Sequence, residues 1–252
     1  MSLKGRHALV TGGGTGIGAA IALALANEGA DVTITGRRED ALATHAKSSP
    51  KLHPRVMDVN DEDSINKATA AAAALHGPIT ICVANAGIAE GMPFLKTTLT
   101  DWQKIMRTNL DGAFLTIRSC LAQMQGEAWG RIIGISSIAG LKGLKGAAAY
   151  TASKHGLLGL IRALSEEYLG TGLTFNALCP GYVNTAIIDQ NAERISTRMG
   201  KSTEEARALM AAGNRHGRLI EPEEVAAAAI WLCSPRSGSV NGQAIEIAGG
   251  QF

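Results

Sequence analysis

Short apolar segments alternate along the chain with longer stretches that are rich in Ala and Leu. The apolar segments read HALVT, DVTIT, RVMDV, ITICVA, RIIGIS, TFNALC and AIEIA, and a helical pattern follows all but the last of them. Strands that are apolar on both faces are typical of a parallel sheet that helices cover on each side. The pattern therefore predicts an α/β fold with a doubly wound parallel sheet of Rossmann type, in three αβα layers.

No feature of the pattern divides the chain. Of its 252 residues 46% are hydrophobic, which suffices for a substantial core, and no repeat or long Pro/Gly/Ser-rich linker interrupts them. We therefore expect a single domain over residues 1–252. In a doubly wound fold, ligands bind beyond the carboxyl ends of the strands, so the residues just after each strand are the candidates for chemistry.

Charge and composition narrow the class of ligand. The chain mixes 24 basic and 22 acidic residues along its length, which argues against a nucleic-acid stripe or a polybasic membrane face and leaves a small molecule as the expected partner. No apolar stretch is long enough to span a bilayer and the N-terminus has no signal-peptide pattern, so a cytoplasmic location is expected. The four cysteines lie far apart in apolar segments, which predicts reduced core thiols and no metal site.

Glycines dominate the turn after the first apolar segment, which reads TGGGTGIG from Thr11 to Gly18. Such a turn brings the backbone close to a phosphate and places a helix N-terminus in front of it. A glycine turn in isolation is as often structural as functional, but its place between a first strand and a first helix favours dinucleotide binding. The predicted cofactor ligands in the turn are Gly12, Thr15, Gly16, Ile17 and Gly18.

Two arginines follow the second apolar segment, in the sequence GRRED from Gly36 to Asp40. They are either an exposed pair solvated beside Glu39 and Asp40, or a site for the 2′-phosphate of NADP(H). A carboxylate at the end of this strand would bind the ribose of NAD(H), whereas Gly36 leaves room for a phosphate. The context favours NADP(H) over NAD(H), with Arg37 as the stronger ligand and Arg38 as an auxiliary ligand or a solvated partner of Glu39.

A tyrosine and a lysine lie four residues apart after the fifth apolar segment. On a helix Tyr150 and Lys154 share one face, and Ser137 precedes them at the end of the strand. Because free tyrosine has a pKa of about 10, we expect the lysine ammonium to lower it for acid-base catalysis. A Tyr and a Lys at this spacing are more often a surface pair, so the catalytic interpretation depends on the other motifs.

Taken together, these motifs resemble those of the short-chain dehydrogenase/reductases over essentially the whole chain. The resemblance rests on TGGGTGIG, DV at 58–59, NAG at 85–87, Asn109, Ser137, YTASK at 150–154 and PGYVNT at 180–185, in this order and spacing. It implies that Tyr150 is the general acid/base and that Lys154 perturbs its pKa and binds the ribose. It further implies that Ser137 donates to the substrate oxygen and that Asn109 holds a water in a proton relay.

The same resemblance implies the remainder of the cofactor site. Asp58 is expected to contact the adenine, and Val183 and Thr185 to hold the nicotinamide amide. The implied ligands beyond the glycine turn are Arg37, Arg38, Asp58, Val59, Asn85, Gly87, Tyr150, Lys154, Pro180, Gly181, Val183 and Thr185. The chain departs from the family pattern at Ala84, where Asn is usual, and at Ala248, where an acidic residue is frequent.

Residues 186–213 follow the nicotinamide loop and resemble the family's substrate lid, with two ordinary helices packed on the core as the alternative.

Lys142 and Lys145 can approach an acidic substrate group or be plain exposed lysines. The family also implies a homotetramer, whose interfaces would involve the stretches NLDGAFLTIRSCLA, YTASKHGLLGLIRALSEEY and IEIAGGQF.

The sequence thus predicts an NADP-dependent oxidoreductase that transfers a hydride between the nicotinamide and a carbonyl or secondary alcohol. A ketoreductase acting on a 3-oxoacyl or small ketone substrate is the favoured form. Its rivals are an NAD-preferring hydroxyacyl or sugar-alcohol dehydrogenase and a non-catalytic dinucleotide sensor. The intact set of Asn109, Ser137, Tyr150 and Lys154 argues against the sensor, which has no need of it.

Overall fold

The computed structural model describes residues 2–200 and 202–250, and within them seven parallel strands form one sheet. The strands are β1 (His7–Thr11), β2 (Asp31–Gly36), β3 (Leu52–Val56), β4 (Ile79–Ala84), β5 (Gly130–Ile135), β6 (Leu173–Pro180) and β7 (Ala244–Ile247). Their order in the sheet is β3-β2-β1-β4-β5-β6-β7. Because the chain returns from the edge strand β3 to β4 beside β1, a crevice opens beyond the carboxyl ends of β1 and β4.

Helices cover both faces of this sheet. Those in the described ranges are α1 (Gly16–Asn27), α2 (Glu39–Ala46), α3 (Glu62–His76), α4 (Leu99–Met106), α5 (Gly112–Gln123), α6 (Ala148–Glu167), α7 (Ala186–Met199), α8 (Thr203–Ala211) and α9 (Pro222–Leu232). Apolar side chains of α1, α2 and α9 pack on one face, and those of α5 and α6 pack on the other. Helix α3 packs against α5, and α7 packs against α8 beyond the carboxyl edge of the sheet.

Successive residues of the central strand β1 enter different layers of the core. Ala8 and Val10 pack with the α1 and α9 side, whereas Leu9 packs with the α5 and α6 side. All three are fully buried, so a strand between two helical layers carries apolar residues on both of its faces. This is the physical origin of the continuous apolar segments, and the predicted fold class is confirmed.

Three local predictions need correction. The segment RVMDV is only partly strand: β3 ends at Val56, because Met57 and Val59 leave the sheet to pack against Ile65 of α3. The long helical stretch after β4 is interrupted at Arg107–Asp111 by a wider π-helical turn. Helix α9 was absent from the predicted elements, although Pro222 at its first turn is a standard start signal for a helix.

All four cysteines are buried and free, which confirms the prediction of core thiols. In the described ranges, no helix combines the length and the apolar character needed to cross a membrane.

Candidate active site

The glycine turn between β1 and α1 adopts a backbone that suits glycine. Gly12 and Gly16 have φ of +63° and +56°, in the left-handed region that side chains disfavour. A Cβ atom at Gly18 would overlap the carbonyl oxygen of Gly12 and lie 2.5 Å from Nδ2 of Asn85. Gly12 and Gly16 are therefore favoured by their backbone conformation, and Gly18 by its close contact with Gly12 and Asn85.

The N-terminus of α1 fits an anionic phosphate group. Among the described residues its N-cap, Thr15, makes no side-chain capping hydrogen bond, and the first turn of the helix carries no acidic residue. The first N–H groups of a helix have no partner within the helix, and the helix dipole favours negative charge in front of them. The turn and the helix thus leave backbone donors available to the pyrophosphate of a dinucleotide.

Thr11 links the carboxyl ends of β1 and β4. Its hydroxyl oxygen accepts hydrogen bonds from the backbone N–H groups of Asn85 and Ala86, both at 2.9 Å. In return, Nδ2 of Asn85 donates to the carbonyl oxygen of Thr11 at 2.8 Å. These bonds hold the loop after β4 against the glycine turn. The sequence does not reveal this role of Thr11, because it depends on the pairing of β1 with β4.

Asn109 lies in the π-helical turn, and its buried side chain is fixed from three directions. Its Oδ1 accepts from the backbone N–H of Ile88 at 2.8 Å, and its Nδ2 donates to the carbonyl oxygen of Ile88 at 3.0 Å. The same Nδ2 donates to the hydroxyl of Ser153 at 3.1 Å. A Cβ at Gly87 would lie 3.2 Å from Oδ1 of Asn109, so the loop after β4 needs a glycine there.

Ser153 is a residue that sequence reasoning missed. It is fully buried, and its hydroxyl donates to the carbonyl oxygen of Tyr150 while it accepts from Asn109. The available signal was its position in YTASK, three residues after Tyr150 and therefore one turn from it on the same helix face.

The structure brings Ser137, Tyr150 and Lys154 together at the base of one cavity. Ser137 and Tyr150 both line this cavity, and Ser137 is held in place as the N-cap of a short turn, Ile138–Gly140. Lys154 is buried, and its Nζ donates to the carbonyl oxygen of Ile135 at 2.8 Å. The Nζ atom lies 5.7 Å from the centroid of the Tyr150 ring.

The expected effect of Lys154 on Tyr150 is wrong for the protein without its cofactor. Burial raises the pKa of Tyr150, and the hydrogen bond from Ser137 only partly opposes this. The ammonium of Lys154 donates to the Ile135 carbonyl oxygen and is not among the groups that shift the pKa of Tyr150. Burial also lowers the pKa of Lys154 to about 8. At neutral pH the pair is therefore a neutral phenol, ready to donate its proton, beside a lysine that is mostly cationic.

The cavity has a volume of about 950 Å³ and joins the glycine turn to the segment 186–213. The predicted cofactor residues that line it are Gly12, Thr15, Gly16, Ile17, Asn85, Gly87, Tyr150, Lys154, Pro180, Gly181, Val183 and Thr185. Lys145 also lines the cavity, whereas Lys142 lies outside its lining. Gly18 is outside the cavity lining and packs closely against Gly12 and Asn85.

The four residues predicted for the adenosine end lie outside this cavity, around the carboxyl ends of β2 and β3. Arg37 and Arg38 are exposed, and Nη2 of Arg38 lies 3.5 Å from the hydroxyl of Thr15 in the glycine turn. Asp58 Oδ1 accepts from the backbone N–H of Asn60 at 2.9 Å. The side chain of Val59 is buried against α3 and α5, so it faces the core and not the crevice.

Segment 186–213 forms the helical pair α7 and α8, which share a small apolar core of their own. Both Ile187 and Ile188 line the cavity, but Ile187 is 45% exposed whereas Ile188 is buried in the core between the two helices. The loop before the pair is held by Asn214, whose Oδ1 accepts from the N–H of Tyr182 at 3.0 Å and whose Nδ2 donates to its carbonyl at 2.9 Å. The sequence contains no local signal for this contact, since 32 residues separate the two partners.

Comparisons with known proteins agree with this geometry. Residues 6–196 match the family described as short chain dehydrogenase. The chain is 36% identical to 3-oxoacyl-[acyl-carrier-protein] reductase FabG of Aquifex aeolicus, over 100% of this chain and 99% of that protein. It is also 36% identical to acetoacetyl-CoA reductase of Shinella zoogloeoides, over 98% of each chain.

A solved structure extends the likeness to three dimensions. A crystal structure of an actinorhodin polyketide ketoreductase variant with NADPH superposes with a TM-score of 0.95, at 35% identity, over 99% of this chain and 98% of that one. The glycine turn, the Ser137, Tyr150 and Lys154 cluster and these matches have one common explanation: the chain belongs to the short-chain dehydrogenase family.

Proposed function

We propose that the protein is an NADP(H)-dependent ketoreductase that reduces a 3-oxoacyl thioester or a small ketone to the secondary alcohol. The observation that carries the proposal is the grouping of Ser137, Tyr150 and Lys154 in the lining of one cavity, which also includes the glycine turn. The activities named for the similar reductases support the class of substrate.

In this proposal each catalytic residue has a separate task. NADP(H), when bound, supplies the hydride or accepts it. Tyr150 donates its phenolic proton to the carbonyl oxygen, and its raised pKa keeps that proton available at neutral pH. Ser137 donates a hydrogen bond to the same oxygen, where negative charge develops. Lys154 holds positive charge beside the phenolate that forms, and Asn109 belongs to the relay that returns a proton to it.

The preference for NADP(H) is supported by the end of β2. Gly36 leaves space for a 2′-phosphate. Arg37 follows it directly with an exposed guanidinium group, and that of Arg38 reaches the glycine turn at Thr15. A similar solved structure contains NADPH, which agrees with this preference. We assign Asp58 and Val59 to the adenine side, Val59 through its backbone, since its side chain lies in the core.

We further propose that residues 186–213 act as a substrate lid, that residues 1–252 form one domain, and that the protein is a cytoplasmic homotetramer. The lid is supported by the exposed Ile187, which faces the cavity from α7. The tetramer rests on the family resemblance of α5, α6 and the C-terminal stretch. Of that stretch, Gln251 and Phe252 lie outside the described residues.

The test is a spectrophotometric screen at 340 nm, in which oxidation of NADPH and of NADH is followed with acetoacetyl-CoA, small ketones, quinones and keto sugars. The proposal expects turnover of a 3-oxoacyl thioester or a ketone, with higher kcat/KM for NADPH. A higher kcat/KM for NAD⁺ with hydroxyacyl substrates or sugar alcohols would make the protein a dehydrogenase of the oxidative direction. Tight dinucleotide binding without any turnover would make it a sensor.

A further inference from the structure

Three side chains that can ligate a metal ion meet at the amino end of the sheet, opposite to the cavity. They are Asp31, the first residue of β2, His53 in β3, and His76, the last residue of α3. One ligand atom of each lies within 4.8 Å of those of the other two. We propose that these residues form a binding site for a divalent transition-metal ion, Zn²⁺ being the ion that their chemistry fits best.

The donor set is suitable for Zn²⁺. Imidazole nitrogen and carboxylate oxygen are both common zinc ligands, and two imidazoles favour such an ion over Mg²⁺ or Ca²⁺. Bonds of about 2.0–2.1 Å in a tetrahedron place ligand atoms about 3.4 Å apart. The ligand atoms of the three residues, now up to 4.8 Å apart, would therefore have to approach one another by about 1.4 Å, which we expect side-chain rotation to provide. Three protein ligands leave the fourth position to water.

His53 and His76 lie close together, but the ring of His76 must rotate before both can bind one ion. The rings of His53 and His76 stack with centroids 3.8 Å apart and planes 19° apart. Nε2 of His53 already lies 3.2 Å from Oδ1 of Asp31. Stacked rings direct their lone pairs in parallel, so His76 must turn about its terminal torsion, which is broad for histidine. The His76 ring meets the rings of His7 and His53, and metal binding would replace its stack on His53.

A third histidine, His7, lies beside the site without joining it. Its Nδ1 and Nε2 lie 2.8 Å from the carbonyl oxygen of Gly77 and 2.9 Å from the hydroxyl of Thr33, so both nitrogens are engaged. The ring meets His76 edge to face, with centroids 5.5 Å apart. His7 is thus a fixed wall beside His76.

Lys51 competes with the proposed ion. Its Nζ lies 3.3 Å from Oδ2 of Asp31, in an ion pair whose side chains are 38% and 35% exposed. Such exposed pairs are weak, so a divalent ion can displace the ammonium. Removing this positive charge must strengthen metal binding. A unit charge about 4 Å from a divalent ion in water changes the affinity about thirtyfold, and less where salt screens it.

The test uses the full-length, tag-free protein after treatment with a chelator, titrated with ZnCl₂ in a calorimeter. Second-shell changes already weaken metal sites about 10–100-fold, so His53→Gln and His76→Gln are expected to weaken Zn²⁺ binding at least tenfold. Lys51→Gln is expected to strengthen it by about fivefold to about thirtyfold, the lower figure applying where salt screens this partly exposed charge. His155→Gln, which changes an exposed histidine of α6, is the matched control and should bind as the parent does.

Absence of Zn²⁺ binding to the parent, or parent-like binding by His76→Gln, overturns the proposal. Circular dichroism and NADPH oxidation show whether each variant is folded, since none of these residues touches the cavity. If a histidine variant does not fold, Lys51→Gln decides alone, because a gain in affinity cannot arise from unfolding. No gain with that variant then refutes the site.

Discussion

Replacing Gly36 by Asp, together with Arg37→Ala, is expected to exchange the cofactor preference. A carboxylate at the end of β2 accepts hydrogen bonds from the 2′-hydroxyl of NAD(H) and repels the 2′-phosphate of NADP(H). The fold accepts this side chain. Among the described residues, a Cβ at Gly36 would come within 4 Å of Leu42 alone, at 3.8 Å from Cδ2, which is an ordinary contact.

The magnitude follows from two separate changes. A charge-assisted hydrogen bond contributes about 1.5–3 kcal/mol, so loss of the Arg37 contact lowers NADPH affinity roughly 10- to 150-fold. The exposure of Arg37 favours the lower end of this range. Repulsion between the new carboxylate and a phosphate about 4 Å away adds about 1 kcal/mol in water, or about fivefold. The ratio of kcat/KM for NADPH over NADH should therefore fall by about 50-fold or more.

The assay is kcat/KM with both cofactors for the parent, the two single variants and the double variant. Arg38→Ala shows whether the guanidinium near Thr15 contributes as well, and Arg236→Ala, at an exposed site distant from β2, is the control. A parent that prefers NADH would refute the reasoning. A double variant that keeps its NADPH preference would do the same, and the arginines would then be a solvated surface pair.

Four further outcomes are expected. Tyr150→Phe should retain less than about 1% of turnover with dinucleotide affinity changed by no more than a few-fold, measured by steady-state kinetics and fluorescence titration, because only the transferable proton is lost. Since burial lowers the pKa of Lys154 to about 8, kcat/KM for carbonyl reduction should fall as pH rises through about 8, and a flat profile between pH 7 and 9 contradicts this role. Ile187→Ala should raise KM for the best ketone without changing cofactor affinity, whereas Ile188→Ala, in the core between α7 and α8, should mainly lower the Tm. Gly18→Ala should destabilise the protein by about 1–3 kcal/mol in a denaturant titration, because its Cβ would overlap backbone; an unchanged Tm would show that the turn can relax.

Much of the fold follows from the sequence because the sheet is buried on both faces. The residues of β1 and β4 are all buried, so their segments carry apolar residues without alternation and are easy to recognise. The carboxyl ends of parallel strands lie along one edge, which also places Ser137 and the glycine turn near each other. Helix periodicity predicted that Tyr150 and Lys154 share a face, whereas their grouping with Ser137 as a catalytic set came from the family resemblance.

Other features depend on contacts between distant parts of the chain, which no local pattern encodes. The bonds of Thr11 to the loop after β4 and of Asn109 to Ser153 each join segments far apart in sequence. The pKa of Tyr150 was mispredicted because spacing on a helix gives proximity but not the direction of the Lys154 side chain, which turns to a carbonyl of β5. Burial is therefore the largest influence on the pKa of Tyr150, and it raises that pKa.

The π-helical turn at Arg107–Asp111 makes the active site sensitive to insertions and deletions as well as to substitutions. Such a turn holds more residues than an α-helical turn does, so it absorbs extra chain between α4 and α5. A one-residue deletion within it would allow a continuous α-helix, and would rotate one half by about 100° relative to the other. Asn109 could not then reach both Ile88 and Ser153, although every catalytic side chain would still be present. The length of this segment is therefore under the same functional constraint as the residues within it.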